Sequence, residues 1–396
     1  MTSPIINAVV VTEVIRAGGG PSGYVNNLRC GLAQISDEER AVTFDFAARE
    51  IGVRRSAIGG GAFNGAGWLF FLRKIFSITK LLVKKLQLKY YLAPHFYKWR
   101  KVIRGADVVI VQGYQEPHLF RYARRWQKCV IYMPHSPSLC ADEYKMMCEN
   151  GGARFERHIY ARMFNVEREF FRDASVIVFP SENSSTAYKV AFSSELMSAC
   201  VRYVKSGVDV PRRYMDAQMS RPCQKEVVEI YFLGRYVSHK GFDLFCEAAN
   251  MLDGAKLKAR FFCAGAGPLS VSSPDVIDLG WREDIFEIIS RADIIVVPNR
   301  IAYYDLLPLE CAALGKPLVM TAVGGNLDQL NDLLDSVACE PAPGDLAYAI
   351  ENAVQLLRAQ SDWGRKNRVS YASNFSSLAL AKRWEQLVLD CLHDLS

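Results

Sequence analysis

Between Glu50 and Asp107 the sequence holds no acidic residue. That window carries Arg54, Arg55, Arg73, Lys74, Lys80, Lys84, Lys85, Lys89, Lys98, Arg100, Lys101 and Arg104, so its local field is cationic although the whole chain is only +6. Cysteine pairs are lacking too. The eleven cysteines include no Cys-x-x-Cys and follow no regular spacing. An odd, scattered set reads as free thiols in a reducing compartment and argues against a disulfide framework or a zinc site. No apolar run approaches the roughly 20 residues of a spanning helix, and a strand begins almost at once, leaving no room for a secretory leader. The expectation is a cytoplasmic protein, soluble or peripheral on the inner face of a membrane. At 396 residues the chain exceeds one typical core, so two domains are expected.

What is present alternates. Ala8 to Thr12 is a buried strand, followed by the loop Gly18-Gly19-Gly20-Pro21-Ser22-Gly23 and a helix from about Tyr24. Gly18, Gly20 and Gly23 satisfy Gly-x-Gly-x-x-Gly, with Asp45 near the end of the next strand where an acidic ribose ligand falls. Two details count against a nicotinamide or flavin site: Glu13 to Ala17 separate strand and glycines, and Pro21 removes an amide. A ligand-free flexible loop fits the same residues, as does a loop whose amides (Gly19, Gly20, Ser22, Gly23) approach another phosphate or an acceptor sugar.

Gly52 to Gly67 is glycine-rich, and Trp68 to Tyr91 then has helical spacing. Lys74, Ser77, Lys80, Lys84 and Gln87 form one face, while Ile75, Ile78, Leu82 and Leu86 form the other. An ordinary packed helix with a solvated basic face satisfies this pattern. So does an interfacial element, in which Lys80, Lys84, Lys85, Lys89 and the aromatic Trp99 meet an anionic membrane surface or an acceptor. Nucleic acid would use the same charge, but no recognition motif accompanies it, so no nucleic-acid partner is expected.

Strands follow at Asp107 to Val111, Cys129 to Tyr132, Val176 to Phe179 and Arg202 to Lys205. The second of these runs into Pro134-His135-Ser136-Pro137, just beyond a strand's carboxyl end, where open α/β sheets bind ligands. The segment from Val210 to Glu226 lacks periodicity and reads as a linker. Alternation then restarts with a strand at Val228 to Leu233. It continues through Gly234-Arg235 and Lys240-Gly241, then Gly265-Ala266-Gly267-Pro268 and Gly280. From Arg291 to Leu334 the chain reads as strand (Ile294 to Val297), helix (Leu306 to Leu314), strand (Leu318 to Thr321) and a glycine-opened helix at Gly324-Gly325. The expected organisation is an α/β protein: residues 1–210 and 227–375 as two Rossmann-like domains across a cleft, 211–226 between them, and 376–396 as a helix bracing the first.

In this order the motifs resemble retaining glycosyltransferases of family 4, which have the GT-B fold. The resemblance rests on Gly-Gly-Pro-Ser-Gly, Pro134-His135, Ser206-Gly207-Val208-Asp209, Gly234-Arg235 with Lys240-Gly241, Gly265-Ala266-Gly267-Pro268 with Gly280, Leu309 to Pro317 around Glu310, and Gly324-Gly325. It implies a nucleoside-diphosphate sugar, UDP- or GDP-linked, as donor and no permanently bound cofactor. The implied acceptor is a glycan, in polysaccharide, lipopolysaccharide or glycolipid assembly. His135, Arg235 and Lys240 are implied as catalytic, the two cations clamping the diphosphate without a metal. No Asp-x-Asp motif lies in a loop, in keeping with metal independence. Donor contacts are implied at Gly234, Gly280, Asn299, Glu310 (on the ribose hydroxyls), Gly324 and Gly325.

One departure stands out. The family has two glutamates separated by seven residues, and the first falls here on Ala302; its glycine three residues later is Asp305. Either Asp305 replaces the missing carboxylate at the sugar, or Asn299, Arg300 and the amides of Leu306 and Leu307 hold the sugar instead. A sugar-nucleotide epimerase and an NAD-dependent Rossmann oxidoreductase are the alternative activities. A non-catalytic membrane or nucleic-acid binding protein would leave Arg235, Lys240 and Glu310 without a role.

Overall fold

A computed structural model describes residues 6–48, 93–113, 117–126, 129–151, 154–219, 226–360 and 362–395. Lys80, Lys84, Lys85, Lys89 and the helix expected around them lie outside the described residues. Among those described, the strands form two six-stranded sheets, and every pairing is parallel.

The first sheet holds β1 (Ile6–Val11), β2 (Val42–Ala47), β3 (Val108–Gln112), β4 (Cys129–Met133), β5 (Val176–Phe179) and β6 (Cys200–Tyr203), in the order β2-β1-β3-β4-β5-β6. The second holds β7 (Val228–Leu233), β8 (Ala259–Ala264), β9 (Val276–Asp278), β10 (Ile294–Val297), β11 (Leu318–Thr321) and β12 (Ser336–Cys339), in the order β9-β8-β7-β10-β11-β12. Central strands such as Cys129–Met133 and Ile294–Val297 are buried at every position. Parallel sheets covered on both faces require this, which is why these strands are continuous apolar runs. Successive side chains feed opposite layers: Ile294 and Val296 pack on one face of the second sheet, Ile295 and Val297 on the other.

The Ser377–Leu395 helix belongs spatially to the first domain. Leu380, Trp384 and Val388 share a core with Tyr24 and Leu28, and Trp384 Nε1 donates to the Tyr24 hydroxyl at 2.7 Å. Glu385 Oε1 accepts the amides of Ala41 and Val42 at 2.7 and 3.0 Å, tying the helix to the start of β2.

Two expectations need correction. The helix after the glycine loop begins at Gly20, not near Tyr24, because Pro21 has its φ preset for a first turn and needs no donor there. The linker contains a helix, Arg212–Met219, which packs on the second domain through Tyr214 and Phe286 (ring centroids 5.8 Å apart) and through Arg368 Nη2 donating to the Met215 carbonyl at 3.0 Å. Asp45 lies exposed in β2 opposite Val9, two residues before the strand's end.

Candidate active site

In the second sheet the strand order reverses between β7 and β10, and the loops leaving their carboxyl ends adjoin each other. Such a switch point opens a crevice by construction. The loop after β7 carries Arg235 and Lys240; the loop after β10 carries Asn299 to Asp305. Gly241 closes the first loop with φ +67°, and a Cβ there would sit 1.7 Å from the Pro298 carbonyl oxygen. Only glycine permits that approach. Arg300 stitches the two loops, donating to both Asp243 oxygens at 2.6 and 2.7 Å and to the Ser238 carbonyl at 2.7 Å.

The two cations differ. Arg235 is exposed, and its Nη2 meets His239 Nε2 at 3.1 Å. Burial, then Arg235 and Lys240, push the His239 imidazole down to about 4, so it is neutral and accepts that bond. Lys240 Nζ lies 2.6 Å from Asp305 Oδ2, and Asn299 Nδ2 donates to the same oxygen at 2.8 Å. Burial raises the Asp305 carboxyl, but Lys240 and Asn299 outweigh it and hold the group below its usual value, so it is ionised.

Asp305 immediately precedes the Leu306–Ala313 helix without capping it. Among the described residues no acceptor takes the amides of Leu306 or Leu307, which carry the partial positive charge of a helix N-terminus. Glu310, five residues on, has no hydrogen-bond or ion-pair partner among the described residues. Burial alone pushes its carboxyl up to about 7. A desolvated carboxylate without a partner is costly unless something else satisfies it.

At the next helix, Gly324 has φ +45°, and a Cβ there would lie 2.2 Å from the Ala302 carbonyl oxygen. The Gly325 amide donates to that oxygen at 3.1 Å. The Gly325 amide is therefore spent on the Ala302 loop, and Gly324 keeps an amide without an acceptor among the described residues. Farther out, the Gly234 amide bonds the Ala264 carbonyl at 3.1 Å, and the Gly280 amide bonds Asp278 Oδ1 at 2.8 Å.

The first domain closes the site. His135 hydrogen-bonds the Gln112 side chain, lies 4.9 Å from the Tyr24 ring centroid, and is pushed down to about 3 by burial. Gly19, Gly20, Ser22 and Gly23 line the N-terminal turn of the first helix, and a Cβ on Gly23 would be 3.6 Å from Leu306 Cδ1. The glycine turn thus abuts the helix bearing Glu310. Residues that sequence reasoning missed join the domains. The Tyr303 hydroxyl donates to the Pro134 carbonyl beside His135, Ser184 Oγ donates to the Tyr303 carbonyl at 2.5 Å, and Asp328 accepts both the amide and the side chain of Asn183 at 2.9 Å. Their only sequence signal was an aromatic pair, Tyr303-Tyr304, in a loop beside a strand end.

Trp99 packs partly buried against the core beneath the first sheet. The tryptophan left open nearby is Trp126, 48% exposed. Among the described residues no cluster of three or more His, Cys, Asp or Glu is placed to hold a metal ion.

Residues 228–356, which hold this whole loop set from Arg235 to Gly325, match the model described as glycosyl transferases group 1. That match lies within the second domain. In Campylobacter jejuni, N,N'-diacetylbacillosaminyl-diphospho-undecaprenol alpha-1,3-N-acetylgalactosaminyltransferase is 30% identical over 116 residues, covering 27% of this chain and 30% of that protein. The matches to three other curated relatives span 58%, 32% and 44% of those proteins. Among solved structures, sucrose-phosphate synthase from Thermosynechococcus elongatus aligns with TM-score 0.63 at 17% identity over 98% of this chain and all of that one. Anabaena HepE in complex with UDP-glucose aligns with TM-score 0.61 at 12% identity over 97% and 100%. The fold shared with these structures is GT-B.

Proposed function

We propose that this protein is a retaining, metal-independent glycosyltransferase that moves a sugar from a UDP- or GDP-sugar to a glycan or lipid-linked acceptor. The observation carrying the proposal is the pairing at one switch point of two cations with the desolvated, unpartnered carboxylate of Glu310. A diphosphate answers the cations, and a ribose diol answers the carboxylate as a bidentate acceptor. HepE in complex with UDP-glucose and the C. jejuni enzyme, named for a diphospho-undecaprenol substrate, support the donor and acceptor classes.

In the proposed reaction the bond from sugar C1 to the β-phosphate oxygen breaks, and a bond from C1 to the acceptor oxygen forms on the same face. The departing phosphate oxygen takes the acceptor's proton. Charge grows on the diphosphate as the first bond breaks, and Arg235, Lys240 and the Leu306 and Leu307 amides stabilise it. No separate base is needed, which suits a His135 held neutral by burial and acting through hydrogen bonds on the sugar. The anionic inner face of a membrane is the proposed place of work.

Purified protein incubated with labelled nucleotide-sugars and a polyprenol-linked acceptor, with and without EDTA, tests the reaction. Nucleotide release insensitive to EDTA, with the anomeric configuration of the donor kept in the product, is expected. Arg235→Ala should lower kcat/KM by about 100-fold or more, the scale of a lost transition-state charge contact, while leaving the thermal midpoint unchanged. Inactivity with every common donor, an obligatory divalent cation, or inversion overturns the reading.

A further inference from the structure

Lys240 already has an anion. Its ammonium is 2.6 Å from Asp305 Oδ2, with both side chains 23% exposed. Asn299, 1% exposed, adds its Nδ2 at 2.8 Å, and the Asn299 carbonyl is itself held by Thr321 Oγ1 at 2.6 Å. The backbone at 305 is fixed from the other side, since Gln329 Nε2 donates to the Asp305 carbonyl at 2.7 Å. So the main chain is anchored while the carboxylate stands at an open helix N-terminus. Aspartate at that position ordinarily turns to cap the helix amides. Asp305 does not; it is spent on Lys240, and its Oδ1 accepts no bond among the described residues.

A diphosphate arriving on Lys240 must therefore meet or displace an internal anion. We propose that Asp305 is a built-in counter-ion that holds Lys240 in the free protein, yields it to the donor diphosphate, and then accepts hydroxyls of the donor sugar. The inference rests on the glycosyltransferase reading above and deepens it. A bare nucleoside diphosphate leaves the displaced carboxylate without a partner, whereas an intact donor supplies one. Asp305 thereby sets the preference for a sugar-bearing ligand over the spent nucleotide.

Titration calorimetry on the full chain with UDP, GDP, UDP-glucose and GDP-mannose tests this with wild type, Asp305→Asn and Asp305→Ala. Both substitutions should tighten the bare nucleotide at least tenfold and reduce its disadvantage against the matching nucleotide-sugar by at least tenfold. A merely structural role for Asp305 would weaken both ligands alike and lower the melting temperature. Unchanged or weaker binding of bare nucleotide by both folded variants overturns the inference. If wild type binds and transfers but the variants show no tightening, the inference alone falls. If wild type binds none of the four probes and transfers nothing from the wider donor panel, the glycosyltransferase reading falls with it.

Discussion

Ionising Glu310 costs the fold stability. Its carboxyl has an ordinary value of 4.5 and is pushed up to about 7 by burial in the folded state. Between those values the folded chain binds more protons than the unfolded chain, so this group's contribution to stability falls as pH rises from about 4.5 to about 7 and stays low above. A shift of that size corresponds to about 3 kcal/mol, an upper figure for a group that keeps some exposure. Glu310→Gln should therefore stabilise the ligand-free protein at pH 8 by up to about 3 kcal/mol, with the difference closing near pH 4.5. The same change should weaken donor binding by about 10- to 100-fold, since a neutral amide replaces a charge-assisted acceptor. Urea unfolding at both pH values and donor titration read the two effects. A variant less stable than wild type at pH 8 would show that Glu310 has a structural partner after all. By the same logic, donor binding to wild type should tighten as pH rises through 7, with no inflection from His135, already neutral there.

The elements that present these residues depend on close backbone approaches more than on side-chain contacts. Gly324 supports the Ala302 loop from below, with no space for a Cβ against that carbonyl. Gly324→Ala should cost about 1 to 3 kcal/mol through strain at positive φ and should also impair donor binding, because the loop from Ala302 to Asp305 must shift. Equal stability by urea unfolding would count against that account. Much of this was readable from residues alone. Strands such as Ile294–Val297 are apolar at every position because both faces are covered, and the glycines mark the turns that need them. The Arg212–Met219 helix was not readable, since among its described side chains only Tyr214 and Met215 reach the core's edge. Nor were the pairing of Lys240 with Asp305, 65 residues apart, and the reach of Tyr303 into the first domain. Motif order locates a loop, but which side chain answers which is settled by the crossing of two loops in space. Trp99 and Trp126 make the same point: each lies in a basic, aromatic segment, and only packing decides which one is the more exposed.

At the scale of the molecule, charge and aromatics gather on one part of the first domain. Helices Ala93–Gly105 and Pro117–Trp126 pack against each other and contain no acidic residue. The Arg104 guanidinium lies 4.8 Å from the Trp126 ring centroid and that of Arg125 5.8 Å away, so an exposed tryptophan is flanked by cations. Arg100 sits over Tyr122 at 4.7 Å. No helix among the described residues is long and apolar enough to cross a membrane. An amphipathic ring bordered by guanidinium groups instead suits the headgroup level of an anionic bilayer. There each basic residue near the surface contributes about 1 kcal/mol, screened over a Debye length. Sedimentation with phosphatidylglycerol vesicles should show binding that is lost in 0.5 M salt and absent on phosphatidylcholine alone. Reversing Arg104 and Arg125 to glutamate should weaken the partition by about tenfold or more. Reversing Lys80, Lys84, Lys85 and Lys89 should weaken it by about 100-fold or more if that segment shares the surface. Arg104 and Arg125 lie outside the donor loops, so transfer to a short soluble acceptor should continue when they are reversed while transfer to a vesicle-borne acceptor falls. Binding that survives both reversals, or that is equal on neutral vesicles, would leave the basic helices as an ordinary solvated face.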